Sequence, residues 1–375
     1  MGVFALLVLA LVVVGLPRGS LSVAEAHAAW LVQSASPRDL LARVQADGQA
    51  PLYFALLKGW TLAAGDTPLA LRIPSLWAGL IGLAAAYGLF RRRGGWLLLA
   101  TAAFVIMAAR EAHLAALLLA LTALATLLYR RWREMPGMVR GLLYGLAGAA
   151  LLLTHLLGWL VIGAHLIHWL LMGRRGRWWI LLPYALAGAP FALWLVISFK
   201  SLRDHLDLAA LLPPLSFPSV ALVVAGLMLL AALSHRRTVS RVALLALVVA
   251  QAALLLARPL EPAWDVVLRR IDAERAPLEP LVTAFAPDSP AAYYERLYGL
   301  RRGIRLEIGW RAHTPDEVRA LADALRDETD VWMVLPADSA ADRVQMVAAL
   351  GAERGIETSF VMEGVLVYHF RAGAP

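Results

Sequence analysis

Apolar runs of helical length alternate with short polar gaps over the first two thirds of the chain, and beyond residue 258 the pattern shifts to short alternating stretches. A helix crossing the hydrocarbon core needs about 20 apolar residues. Nine runs approach that, near 2–17, 68–90, 95–109, 113–129, 141–155, 157–172, 178–198, 218–234 and 242–257. Several are short, which implies tilt or local thinning of the bilayer. The segment between Arg140 and Arg174 is too long for one span and basic at both ends, so it reads as a hairpin turning near His155–Gly158.

Between the first two runs, residues 18–67 form a long polar gap with helical signals. Ser22 followed by Glu25 fits a capping box opening a helix that runs to about Ser34. Ser36 with Pro37 opens a second helix, closed by Gly48. Both would lie along the outer membrane surface. The tail predicts strands at 280–286, 304–308, 331–336, 356–361 and 364–370, and helices at 263–274, 289–300, 315–328 and 339–352. Two domains are expected: 1–258, a transmembrane module that includes the first outer loop, and 259–375, a small α/β domain.

Composition agrees with a membrane chain. Hydrophobic residues make up 60% of 375, and the net charge of +8 is unevenly spread. Residues 1–258 hold 22 basic and 8 acidic residues, whereas the tail is acidic. The basic residues cluster at Arg91–Arg93, Arg130–Arg140, Arg174–Arg177 and Arg236–Arg241, in alternate gaps. Those gaps are therefore cytoplasmic. Nine crossings from a cytoplasmic N-terminus then place the C-terminal domain outside. Val3–Leu16 also resembles a signal-peptide core, but it lacks a basic n-region and reads better as a retained anchor. The basic residues form no stripe with interleaved aromatics, which argues against nucleic-acid binding. There is no cysteine, hence no disulfide, thiolate metal site or thiol nucleophile. Neither a Gly-rich phosphate loop nor a metal-ligand spacing appears in the tail.

Few acids in the membrane half invite a chemical reading. Glu25 and Glu111 each sit at the outer end of an apolar segment, where ionisable groups are costly and often functional. Each also has a structural reading: Glu25 as the capping-box acid, Glu111 with Arg110 as a cap at the interface. Arg72 and Lys58 are cations near the same face, and snorkelling to the headgroups explains them equally. His155 ends a span, and His27 and His113 flank the two acids.

Several segments together resemble the N-terminal module of GT-C glycosyltransferases, bacterial relatives of protein O-mannosyltransferases and aminoarabinose transferases in particular. They are Ala24-Glu25-Ala26, Ala50-Pro51-Leu52-Tyr53-Phe54 leading to Trp60, Leu71-Arg72-Ile73-Pro74-Ser75, Arg110-Glu111-Ala112-His113 and Leu153-Thr154-His155. The likeness spans about residues 5–200. It implies an α-helical polytopic membrane protein of about nine transmembrane helices with a C-terminal extracytoplasmic α/β domain, in a bacterial plasma membrane. The implied reaction is inverting transfer of a sugar from a polyprenyl-phosphate donor to an extracytoplasmic acceptor, whether glycan, lipid or protein. Glu25 and Glu111 would be the catalytic carboxylates, and a divalent metal ion held by both would fit. Arg72, Lys58 and His155 would bind the donor phosphate, and Tyr53 would face the substrate cleft; Tyr293 and Tyr294, in the tail beyond the likeness, could face that cleft too, but a helix packing on its own sheet explains them as well. The sequence departs from the family pattern where Ala24 replaces the first-loop Asp taken as the base, Ala50 a Pro, and His113 an Arg. Either Glu25 takes over proton abstraction, or the chain is a catalytically degenerate scaffold of the same fold.

Overall fold

Helices occupy the first part of the chain and a mixed sheet the last, in a computed structural model. It describes residues 20–90, 103–171, 181–205, 264–276, 279–283, 288–298, 305–307, 315–336, 347–351, 354–362 and 365–372, besides the isolated positions 238 and 242. The expected spans at 2–17 and 218–234, the one at 242–257 apart from position 242, and the starts of those at 95–109 and 178–198 lie outside the described residues.

The helices are α1 (Val23–Val32), α2 (Pro37–Ala46), α3 (Leu52–Ala64), α4 (Pro68–Phe90), α5 (Ala103–Arg110), α6 (Ala115–Glu134), α7 (Met138–Thr154), α8 (Gly158–Leu171) and α9 (Leu182–His205). Then come α10 (Trp264–Glu274), β1 (Leu281–Thr283), α11 (Pro290–Tyr298), β2 (Arg305–Glu307), α12 (Pro315–Ala324), β3 (Asp330–Pro336), β4 (Arg354–Met362) and β5 (Val365–Ala372). Among the described residues, three helices are long and apolar enough to cross a membrane: Pro68–Phe90, Ala115–Glu134 and Leu182–Phe199. α3, α7 and α8 are apolar but shorter.

The chain divides into two compact units, Met1–Arg18 with Leu31–Arg258, and Gly19–Trp30 with Pro259–Pro375. In the first, α4 packs on α5 and α6, α6 on α7, and α7 on α9. Small residues make these approaches close. The α4–α6 seam is built from Ala78, Ala85, Ala86, Ala116, Ala120 and Ala123, with Leu89, Phe90 and Leu119 filling its margins. Lipid tails are as apolar as leucine, so helix association here rests on tight van der Waals contact instead of expulsion of water. On α7, Gly141, Gly145 and Gly148 form the equivalent face. A methyl group at Gly145 would stand 2.9 Å from the Pro183 carbonyl oxygen, and one at Gly148 the same distance from the Ala187 methyl. The hairpin read at His155–Gly158 is present: α7 ends at Thr154 and α8 begins at Gly158. His155 Nδ1 accepts the Leu157 amide at 3.1 Å within that turn. At the arginine-bearing end of the same helices, Tyr129, Trp132, Tyr144, His165 and Tyr184 pack ring against ring, with His165 stacked on Tyr129 at 4.4 Å.

The second unit holds a five-stranded sheet in the order β2-β1-β3-β5-β4. β1 runs parallel to β2 and β3, while β5 is antiparallel to β3 and β4. These five strands lie within the segments read from the sequence or extend a residue or two beyond them at the ends. Strand alternation sets two faces. Val331, Met333, Leu335, Leu366 and Phe370 join Val282, Leu325 and Leu350 in the core. The opposite face brings Asp330, Trp332, His369, Arg371 and Glu357 together.

Candidate functional site

The polar signals in residues 18–67 fold as their spacing dictates. Ser22 N–H donates to Glu25 Oε2 at 2.9 Å, and the Glu25 amide returns a bond to Ser22 Oγ at 3.3 Å. This reciprocal pair is the capping box. Ser36 caps α2 by accepting the Asp39 amide, with Pro37 in the first turn and Gly48 at φ 68° just beyond the end. A hydrogen bond from the Ala35 amide, followed by Arg43, holds the Asp39 carboxyl below the usual range. Glu25 is 1% exposed, so its carboxylate is held inside the fold while it caps α1.

Lys58, on α3, donates from Nζ to the carbonyls of Val32 and Ser34 at 2.7 Å each. Those carbonyls belong to the end of α1 and the residues just after it, where the helix leaves acceptors unmet and the dipole favours a cation. The ammonium thus closes a helix end.

Pro74 explains how the next segment is built. Lacking an N–H, it leaves the Ala70 carbonyl one turn earlier without its helical partner. Trp60 of α3 supplies the missing donor, its indole N–H reaching Ala70 O at 2.8 Å. The Trp60 ring also meets Trp77 edge-on at 4.9 Å. These contacts fix α3 against the first turns of α4, on which Arg72 is buried, 4% exposed. One turn on, Ser75 Oγ donates to the His113 carbonyl at 3.4 Å. The α4 face bearing Arg72 and Ser75 therefore lies against the turn that carries Glu111. That turn is tight: the Glu111 amide bonds to Met107 O and the His113 amide to Glu111 O. His113 Nδ1 accepts the Ala115 amide at 3.3 Å, which helps start α6. Tyr53 is buried beside Phe54, their rings edge-on at 5.3 Å.

Arg72, Glu111, Lys58, His155 and Tyr53 all belong to the first unit, Glu25 to the second. Tyr293 and Tyr294 are also in the second unit, where both are almost fully buried and pack on each other edge-on at 5.1 Å. The Tyr294 hydroxyl accepts the Leu21 amide at 2.9 Å. Sequence reading missed this link because it joins positions far apart in the chain; only the burial-prone Tyr-Tyr pair was visible.

Among the described residues, one group of acids and histidine has the spacing of metal ligands: Asp330, Glu357 and His369. Its protein contacts argue for an ion-pair network instead. His369 faces Asp330 through Nε2 at 3.1 Å and Glu357 through Nδ1 at 3.0 Å, and Arg371 bonds to both carboxylates. Trp332 stacks on the His369 ring at 4.3 Å. Burial pushes the Asp330 carboxyl up, but bonds from Arg371 and Thr329 outweigh it and hold the group below its usual range. Both carboxylates are thus already paired with the Arg371 guanidinium.

No protein-family model matches the chain, and none of the curated proteins is similar to it in sequence. The fold does have solved counterparts. The crystal structure of ArnT from Cupriavidus metallidurans in the apo state aligns with 98% of this chain and 97% of its own, at a TM-score of 0.53 and 11% identity. A second structure of that protein, bound to undecaprenyl phosphate, aligns over the same shares at a TM-score of 0.49 and 13% identity. The apo structure shows that the chain shares the GT-C fold of this aminoarabinose transferase.

Proposed function

We propose that the protein is a membrane glycosyltransferase of GT-C type. It takes a sugar from a polyprenyl-phosphate donor and passes it, with inversion, to an acceptor on the extracytoplasmic side. A shared fold alone does not carry an activity. The observation that carries this reading is Arg72, buried on the apolar helix α4 one turn before Ser75, whose hydroxyl donates to the His113 carbonyl in the turn that follows Glu111. Ionisable groups in such segments are expensive; they pair with one another or with backbone carbonyls and mark substrate or ion pathways.

The reaction needs one carboxylate and one cation. The acceptor hydroxyl attacks the anomeric carbon as its proton passes to the carboxylate, for which Glu25 is the first candidate and Glu111 the second. The bond from the anomeric carbon to the phosphate oxygen breaks, its electrons leave with the polyprenyl phosphate, and Arg72 stabilises the charge that develops there. A lipid-linked donor arrives through the bilayer, which fits a sequence without a nucleotide-phosphate loop.

A degenerate scaffold is the second reading. It is favoured by Ala24 at the family's acidic position and by the burial of Glu25 in its capping box. Transfer of labelled sugar from polyprenyl phosphate in proteoliposomes decides between them. Glu25→Gln is expected to lower kcat by about a hundredfold or more with thermal unfolding little changed. Arg72→Lys is expected to cut kcat/KM by about ten- to a hundredfold, since an ammonium cannot reproduce the planar donor fork. Loss of turnover on chelation, restored by a divalent ion, would add a metal to the mechanism. A parent protein inert towards every donor tried supports the scaffold.

A further inference from the structure

The helix that carries Glu25 is built into the C-terminal unit. Ser20 Oγ donates to the Asp265 carboxylate at 2.5 Å and accepts the Asp265 amide at 3.1 Å, where α10 begins. The Leu21 amide donates to the Tyr294 hydroxyl of α11 at 2.9 Å. His27 Nδ1 meets Asp288 Oδ2 at 2.9 Å, just before α11. All these bonds join residues more than two hundred positions apart, and all lie within one unit.

Two of the bonds act on adjacent peptide groups. Tyr294 holds the Leu21 amide, and the next amide, Ser22, holds Glu25 Oε2. The Tyr294 hydroxyl, the Leu21–Ser22 backbone and the Glu25 carboxylate therefore form one continuous chain of bonds. Tilting the Leu21 peptide moves the donor that aims the carboxylate. Glu25 and Tyr294 are 1% and 2% exposed, so water does not replace either partner.

From this geometry we infer that Tyr294 is a positioning residue for Glu25, and that the C-terminal unit thereby sets the alignment of the transferase base. The inference rests on the reading of Glu25 as that base. Asp265 holds Ser20 just before the same helix, and Asp288 holds His27 within it. Small misplacements of a reacting group are costly, about a hundredfold for 1 Å.

The test compares Tyr294→Phe, Glu25→Gln and the double variant in the full-length protein. Tyr298→Phe serves as a control, because it removes a bond to Arg269 from the same helix without touching residues 20–30. Tyr294→Phe is expected to lower kcat about tenfold or more with donor KM unchanged, and to speed hydrogen exchange at the Leu21 and Ser22 amides. Tyr298→Phe is expected to change neither. In the Glu25→Gln background, adding Tyr294→Phe is expected to cost nothing further in kcat. Normal kcat and normal exchange in Tyr294→Phe, alongside an inactive Glu25→Gln, overturn the positioning role and leave the base intact. Full activity in Glu25→Gln instead overturns the reading of Glu25 and the inference with it. Should Tyr294→Phe fold poorly, Asp288→Asn removes the ionic half of the His27 contact and is expected to give the same kcat loss at unchanged KM; its failure to do so counts against the inference.

Discussion

Lys58 illustrates what a single side chain can hide. In the sequence it is a cation near an interface, open to a phosphate role or to snorkelling; in the fold its ammonium bridges the carbonyls of Val32 and Ser34. Carbonyl acceptors are the same at every position, so no sequence pattern marks the two that a lysine will find. Lys58→Met should therefore lower stability by about 1.5–3 kcal/mol, the range for hydrogen bonds to a charged group, and leave donor KM as it was. Thermal unfolding in detergent and donor titration check this together. Intact stability with a raised KM would return Lys58 to the donor phosphate. Glu25 was more legible, because the spacing from Ser22 announces a capping box, and that box formed. Its near-complete burial was not legible, since that depends on residues brought from the far end of the chain.

At the scale of elements, hydrophobic period carried most of the reading. The run at 68–90 is α4 to the residue, and the basic flanks of the 141–173 stretch called for the hairpin that α7 and α8 make. Five alternating stretches in the tail became five strands. Periodicity does not say which small residues touch a neighbour. Gly145 and Gly59 are both glycines inside helices, yet they should respond oppositely to Ala. At Gly145 a methyl group meets the Pro183 carbonyl at 2.9 Å and Leu186 Cδ2 at the same distance, so α7 and α9 must part. Gly145→Ala should destabilise by about 1–3 kcal/mol. At Gly59 there is open space, and Gly59→Ala should stabilise by about 0.5–1 kcal/mol through helix propensity. Unfolding of both variants in one detergent separates a packed glycine from a spare one. Equal effects would mean that the close α7–α9 contact is wrong.

For the whole molecule, residues 20–30 group with the C-terminal unit, a partition that a linear reading placing them in the first outer loop did not contain. A chain joining 19–30 through a flexible linker to 259–375 should be more stable than 259–375 alone. The bonds at Asp265, Tyr294 and Asp288 suggest a gain of about 2–4 kcal/mol at roughly 1 kcal/mol each. Urea unfolding of the two chains measures it; equal midpoints and slopes would show that the segment adds nothing to the unit.

What the sequence determined by itself follows from short-range physics. Apolar length and arginine placement gave the helical membrane class, alternation gave the sheet, and local spacing gave the caps at Ser22 and Ser36. These depend on neighbours within a few residues and on the surrounding solvent. Tertiary structure alone decided which carbonyl Trp60 and Lys58 would meet, which glycines would carry a helix crossing, and that Tyr294 would hold the peptide beside Glu25. Each of those is a contact between polar or small groups far apart in the chain. Their partners are chosen by the path of the backbone, which no local pattern encodes.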